Sequence, residues 1–152
     1  MPNTQYPISN TEYHLGIYMG HDTGVAIVDG RLNILWVFEE ERFDGEKMTY
    51  FNPYFSLKEM LRRGFNRFRS IAFGFNPHEG EVDFLKKFVR FQKVRAAETL
   101  SYLSGRAQWD EISFVGHHDC HAAGAFYPSG CSEALVMVAD GTGESESTSF
   151  YQ

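Results

Sequence analysis

Three short apolar runs, LGIYMG (15–20), GVAIVDG (24–30) and NILWVFEE (33–40), follow one another with only Gly/Asp turns between them. β-branched and aromatic runs punctuated in this way predict an antiparallel meander. The polar loop ERFDGEKMTYFNP comes next, and then YFSLKEMLRRG, whose Leu57, Met60 and Leu61 share one helical face before Gly64 stops it. SIAFGF (70–75) reads as a strand. From Glu81 to about Ser104, Phe84, Leu85, Phe88, Phe91, Leu100 and Leu103 predict a long helix packed on a sheet, its phenylalanines in the core. EISFV (111–115) is a further strand, GHHDCHAAGAFY is helix-compatible up to Pro128, and EALVMVAD (133–140) is a strongly apolar strand with ESESTSFYQ as its hairpin partner. The order β-β-β-α-β-α-β-α, followed by a new β-turn-β, is an α/β layer that starts over.

A weak internal echo supports the restart, since YMGHDTGVAIV and VADGTGESESTSF are both apolar strand, Asp/Gly/Thr turn and second strand. The expected organisation is a polar lead over 1–13, an α/β lobe with a mixed sheet over 14–130, and the opening of a second lobe over 131–152. A strand as apolar as ALVMVA expects cover on both faces, and a lone hairpin is marginal in water. Completion of 133–152 by further chain, a second copy or a partner is therefore expected.

Composition narrows the function classes. With 152 residues, 43% of them hydrophobic and including 14 Phe and 8 Tyr, the chain has ample material for a core. Its formal charge of -6 and pI near 5.5 argue against nucleic-acid binding driven by phosphate charge. The cationic stripe Lys86, Lys87, Arg90 and Lys93 reads as a solvated helix face. No apolar run approaches the roughly 18 residues that span a bilayer, and MPNTQYPISNTEYH lacks a cationic start and apolar core, so no membrane association and a cytoplasmic location are expected. Cys120 and Cys131 lack CxxC spacing and read as reduced, small, buried side chains.

The chemistry concentrates in GHHDCHAAGAFYPSG (116–130). Helix positions three or four apart share a face, so His121 can converge on one ion with either His117 or His118. A helix N-terminus after EISFV favours the neutral imidazole that metals need. Lone histidines usually satisfy a local hydrogen bond. Asp140 adds a carboxylate at the carboxyl end of a second strand, the edge where open α/β sheets bind ligands. If the two strands are neighbours, two imidazoles and a carboxylate gather with open positions suited to Fe(II), and less selectively to Zn(II) or Mn(II). Taken alone, Asp140 reads as an ordinary turn-initiating Asp. The turns GHDTG, with His21 and Asp22 at its tip, and DGTGE, with Gly141, Thr142, Gly143 and Glu144, could bring backbone N–H groups to a polyphosphate. Lys47, in the polar loop, reads by itself as a solvated lysine.

GHDTGVAIVDG, EEERFDGEK, HHDCHAAGAFYPSG and EALVMVADGTGESESTSF, in this order and spacing, resemble the N-terminal part of the ATP-dependent O-carbamoyltransferases of nodulation-factor, cephamycin and tobramycin biosynthesis. The resemblance covers about residues 15 to 152. It implies an actin/sugar-kinase-like (ribonuclease H-like) lobe, related to the universal tRNA threonylcarbamoyl transferase, the start of a second lobe, and a further domain that makes carbamoyl adenylate. It also implies His117, His121 and Asp140 as metal ligands, with iron the first choice, which selects His117 over His118. His21 falls where the family has a residue proposed to deprotonate the acceptor hydroxyl, and Lys47 where a lysine contacts carbamoyl adenylate. The family's arginine two residues before that lysine is Gly45 here.

The implied activity moves a carbamoyl group from carbamoyl phosphate, with ATP and through carbamoyl adenylate, to a hydroxyl of a small natural product. The chain by itself is expected to be inactive. The rival reading is a non-catalytic metal- or nucleotide-binding module that pairs with another chain, and a third is a small metal-dependent hydrolase.

Overall fold

In the computed structural model of the chain, the first two apolar runs form β1 (Tyr13–Tyr18) and β2 (Gly24–Asp29), and the third forms β3 (Ile34–Glu39). Residues 12–50, 52–78, 83–143 and 146–152 are described. Both pairings of the meander are antiparallel, with Leu15 opposite Ile27 and Val25 opposite Phe38. Alternation explains the burial: Leu15, Ile17, Val25 and Ile27 turn to the core while their neighbours are half covered. Gly24 is required by closeness, because a Cβ there would stand 2.7 Å from the Phe38 carbonyl oxygen.

Two helices follow β3, the short α1 (Glu41–Asp44), inside what the sequence presents as a polar loop, and α2 (Tyr54–Arg62). They carry the chain to β4 (Arg67–Phe73), which lies parallel to β1 with Leu15 opposite Ile71. A parallel return needs such a crossover. After α3 (Asp83–Leu103), β5 (Gln108–Phe114) completes a five-stranded mixed sheet in the order β3-β2-β1-β4-β5. α4 (His117–Phe126) and a single 3-10 turn (Tyr127–Ser129) lead to the antiparallel hairpin of β6 (Val136–Gly143) and β7 (Glu146–Tyr151), which is a sheet of its own. The chain is therefore α/β. It divides into two compact units, Met1–Phe73 with Val94–Ser113, and Gly74–Lys93 with Phe114–Gln152.

α2 buries Leu57 and Met60, as its spacing predicts, and Gly64 follows it at φ +89°, a conformation glycine adopts without strain. Its N-terminus is satisfied from a distance. Glu40, only 2% exposed, accepts hydrogen bonds from the backbone N–H of Phe55 (2.8 Å) and Ser56 (2.9 Å). These are two of the donors a helix start leaves unpaired, met here by a carboxylate that also favours the positive end of the dipole. Replacing Glu40 by alanine would bury both N–H groups without partners and should destabilise the chain by about 3 kcal/mol. Urea unfolding of Glu40→Ala beside Glu40→Gln, which keeps one acceptor, checks this: the glutamine variant should lose about half as much.

Several expectations are corrected. On α3 the buried face carries Val89, Gln92, Arg95, Ala96, Thr99 and Leu103, whereas Phe91 is exposed. Arg95 and Thr99 hold that face because they find partners there, Thr99 Oγ1 donating to Met19 Sδ at 3.6 Å. Arg95 is 4% exposed; its Nε donates to Asn52 Oδ1 at 2.9 Å and its Nη1 donates to the Met19 carbonyl. Asn52 in turn donates to Glu98 Oε2 (2.8 Å) and to the Tyr54 hydroxyl (3.0 Å). Burial pulls the Arg95 guanidinium below its usual pKa, opposed by the charge of Glu98. Phe84 and Leu85 lie on α3, but their side chains are outside what is described. Lys86, Lys87, Arg90 and Lys93 are exposed, as a solvated face requires.

Both cysteines are exposed rather than buried: Cys120 lies on α4 and Cys131 in the loop before β6. β6 runs past Asp140 to Gly143, with its pairing shifted between Ala139 and Gly143. Val138 is buried, while Leu135, Met137 and Phe150 are exposed, so the strand region is covered on one face only.

Candidate metal centre

Gly116 (φ -56°, ψ 151°) is the extended residue at which the chain turns from β5 into α4, and the first helical bond runs from Cys120 N–H to the Gly116 carbonyl at 3.0 Å. His117 therefore occupies the first helical position, with His121 one turn later on the same face. Asp140 reaches them from β6. His117 Nε2 lies 2.7 Å from Asp140 Oδ2, His121 Nε2 lies 3.0 Å from His117 Nε2, and His121 Nε2 lies 3.6 Å from Asp140 Oδ2. One ligand atom from each of the three falls within 4.8 Å of the others.

The convergence arises differently from expectation. β5 and β6 are not neighbours, since they belong to separate sheets, and it is α4 beside β6 that joins the histidines to the carboxylate. His118 takes no part in the cluster. It is 5% exposed, and its Nδ1 lies 2.6 Å from Ser149 Oγ on β7.

Protons alone satisfy the three-atom cluster poorly. If His117 Nε2 carries the proton donated to Asp140, it has no lone pair for His121; if His121 donates to His117, the close approach of His117 to the carboxylate has no proton in it. A cation removes the conflict, because all three atoms can direct lone pairs at it. With bonds of about 2.1 Å, ligand atoms around one ion stand roughly 3.0 to 3.4 Å apart at octahedral or tetrahedral angles. The observed separations need change by no more than about 0.7 Å for either geometry. Two imidazoles and one carboxylate with open positions suit Fe(II), and also Zn(II) or Mn(II).

The electrostatics agree with ligand duty. The hydrogen bond from His117, aided by the Gly141 N–H, holds the Asp140 carboxyl below its ordinary pKa against the opposing effect of burial. The group is therefore a carboxylate at neutral pH. Side-chain exposure rises from 15% at His117 through 33% at Asp140 to 54% at His121, which leaves one side open to an additional ligand.

His21 and Asp22 form the turn between β1 and β2, with Asp22 at φ 60° and its Oδ2 2.7 Å from His21 Nδ1. Tyr18 and Tyr50 meet the His21 ring edge-on, at 6.2 and 6.4 Å between centroids. Lys47 is exposed in the turn after α1. These three belong to the first unit, and the His–His–Asp cluster to the second. Gly141 lies within β6, its N–H donating to Asp140 Oδ1 at 2.6 Å, so that donor serves the carboxylate. Thr142 and Gly143 continue the strand, and Glu144 lies outside the described residues.

Residues around His118 were not singled out from the sequence. Ser149 Oγ donates to Glu146 Oε2, which lies 3.8 Å from His118 Nδ1. Burial and the neighbouring Asp119 carboxylate raise the Tyr151 hydroxyl above its usual pKa. The alternation in ESTSFY, with Ser149 and Tyr151 on one face, is the signal that marks them.

No model of a known protein family matches the sequence, and no curated protein matches it.

Proposed function

We propose that the chain is the metal- and nucleotide-binding part of an O-carbamoyltransferase, with an actin/sugar-kinase-like lobe and the opening hairpin of a second. The gathering of His117, His121 and Asp140 carries this reading. The motif likeness supplies the reaction class, and the meander, parallel return and second hairpin support the fold assignment.

A divalent ion held there, Fe(II) first, would act as a Lewis acid and anchor for a nucleotide phosphate. His117 and His121 supply neutral imidazole nitrogens and Asp140 a charge that offsets the cation. In the first unit, Asp22 Oδ2 accepts from His21 Nδ1–H at 2.7 Å, which leaves Nε2 as the nitrogen able to take the acceptor hydroxyl's proton. Lys47 supplies a cation for charge developing on carbonyl and phosphate oxygens. The donor is carbamoyl adenylate, made from carbamoyl phosphate and ATP, and the acceptor a hydroxyl of a small natural product.

A second reading, a non-catalytic module completed by another chain, is favoured by the exposed Leu135, Met137 and Phe150. Phosphorus NMR tests the nucleotide claim. Protein loaded with Mn(II) should broaden the AMP phosphate resonance, and a hydrolysis-resistant carbamoyl adenylate analogue should displace AMP at lower concentration. An unaffected AMP resonance with loaded parent protein would remove the nucleotide role; an analogue no better than AMP would remove the carbamoyl assignment.

A further inference from the structure

His118 adjoins a ligand yet faces away from the cluster, buried, and bonded to a strand that contributes no ligand. Its Nδ1 lies 2.6 Å from Ser149 Oγ. The direction of that bond follows from its surroundings. Ser149 has one hydroxyl proton and gives it to Glu146 Oε2, which as a carboxylate only accepts. Ser149 Oγ must then accept from His118, so Nδ1 is the ring nitrogen that donates. Among the described residues, buried His118 Nε2 has no hydrogen-bond partner. A buried nitrogen left so costs about 1–3 kcal/mol, so stability by itself is a poor reason for a histidine here.

The position of Ser149 supplies a better reason. β6 and β7 pair regularly through Val138 opposite Ser149 and Ala139 opposite Thr148, and the register then shifts before Gly143. Asp140 is the first residue of the irregular stretch. The ladder does not fix it, and its place opposite α4 depends on how that helix is tied to the last regular rungs. The bond from His118 to Ser149 is such a tie: one end is next in sequence to His117, the other two rungs from Asp140.

We infer that His118 and Ser149, with Glu146 holding the Ser149 hydroxyl, are positioning residues for the metal centre, setting the distance between the two ligand histidines of α4 and Asp140 of β6. The inference rests on the metal reading above and adds an outer layer to it; partners of this kind commonly change metal affinity about 10- to 100-fold.

Titration of the full chain with Co(II), followed by its visible absorption, tests this. The parent should bind one ion. Ser149→Ala should still bind one, but about 10- to 100-fold more weakly and with an altered band shape, and Ser149→Thr should restore both. The double variant His118→Leu/Ser149→Ala removes both polar partners, so it should unfold at a temperature equal to or above the parent's while keeping the weak binding. Parental affinity and spectrum in Ser149→Ala and in the double variant would overturn the positioning role and leave the metal site standing. Failure of the parent to take up Co(II) would overturn both.

Discussion

Replacing His121 by alanine should abolish stoichiometric metal binding. The parent chain, loaded with Fe(II) or Co(II) and freed of excess ion, should carry one ion by elemental analysis, and His121→Ala none. The expected effect is large because the cluster has three donors, and loss of one leaves His117 and Asp140 to close on each other through their existing 2.7 Å contact. That contact competes with the ion and prevails when the second imidazole is gone. Acid should mimic the mutation. Metal binding needs unprotonated ligands, so affinity falls as pH is lowered. Asp140, with its pKa depressed by the His117 hydrogen bond, keeps its charge to lower pH than an ordinary aspartate. Asp140→Asn should weaken binding at every pH, because it removes the one ligand that carries a negative charge. An ion retained by His121→Ala would refute the site.

The largest stability effect is expected at Arg95. Truncation to alanine removes donors to the Met19 carbonyl and to Asn52, and leaves Glu98 without its opposing charge. Breaking a buried charged network from one side costs about 3–5 kcal/mol. In a chain of this size that lowers the unfolding temperature by roughly 10 °C. Arg95→Lys keeps the charge but loses the planar fork, so calorimetry should place it nearer alanine than the parent. A shift of a degree or two in Arg95→Ala would show the network to be ornamental. Because Arg95 holds the carbonyl just ahead of the Gly20–His21–Asp22 turn, the variant should also alter the NMR signals of His21.

What the sequence makes legible follows the range of the interactions. The strands of the meander, the amphipathic α2 and the hairpin are read from periods of two and 3.6, and each lies within a residue or three of expectation. On α3, Leu103 is buried as its spacing predicts, but Phe91 is exposed and polar Arg95 and Thr99 are buried, a choice that depends on Asn52 and Met19 far along the chain. The cap on α2 is hidden for the same reason, since Glu40 sits 15 residues ahead of Phe55. At the cluster, the pairing of His117 with His121 is a helical spacing and visible at once. Its junction with Asp140 is anticipated for the wrong cause, adjacent strands, when helix α4 makes it. Which of the two consecutive histidines turns inward is decided by Ser149, 31 residues away from His118. Nothing local to the motif encodes that.

The strip of Leu135, Met137 and Phe150 has a colloidal consequence. At pH 7 a formal charge of -6 keeps copies apart, but the repulsion fades near the isoelectric point of about 5.5. There, encounters between molecules are governed by greasy surface rather than by like charge. Precipitation should set in as a buffer is acidified toward that value while secondary structure is still intact, with salt hastening it at pH 7 by screening.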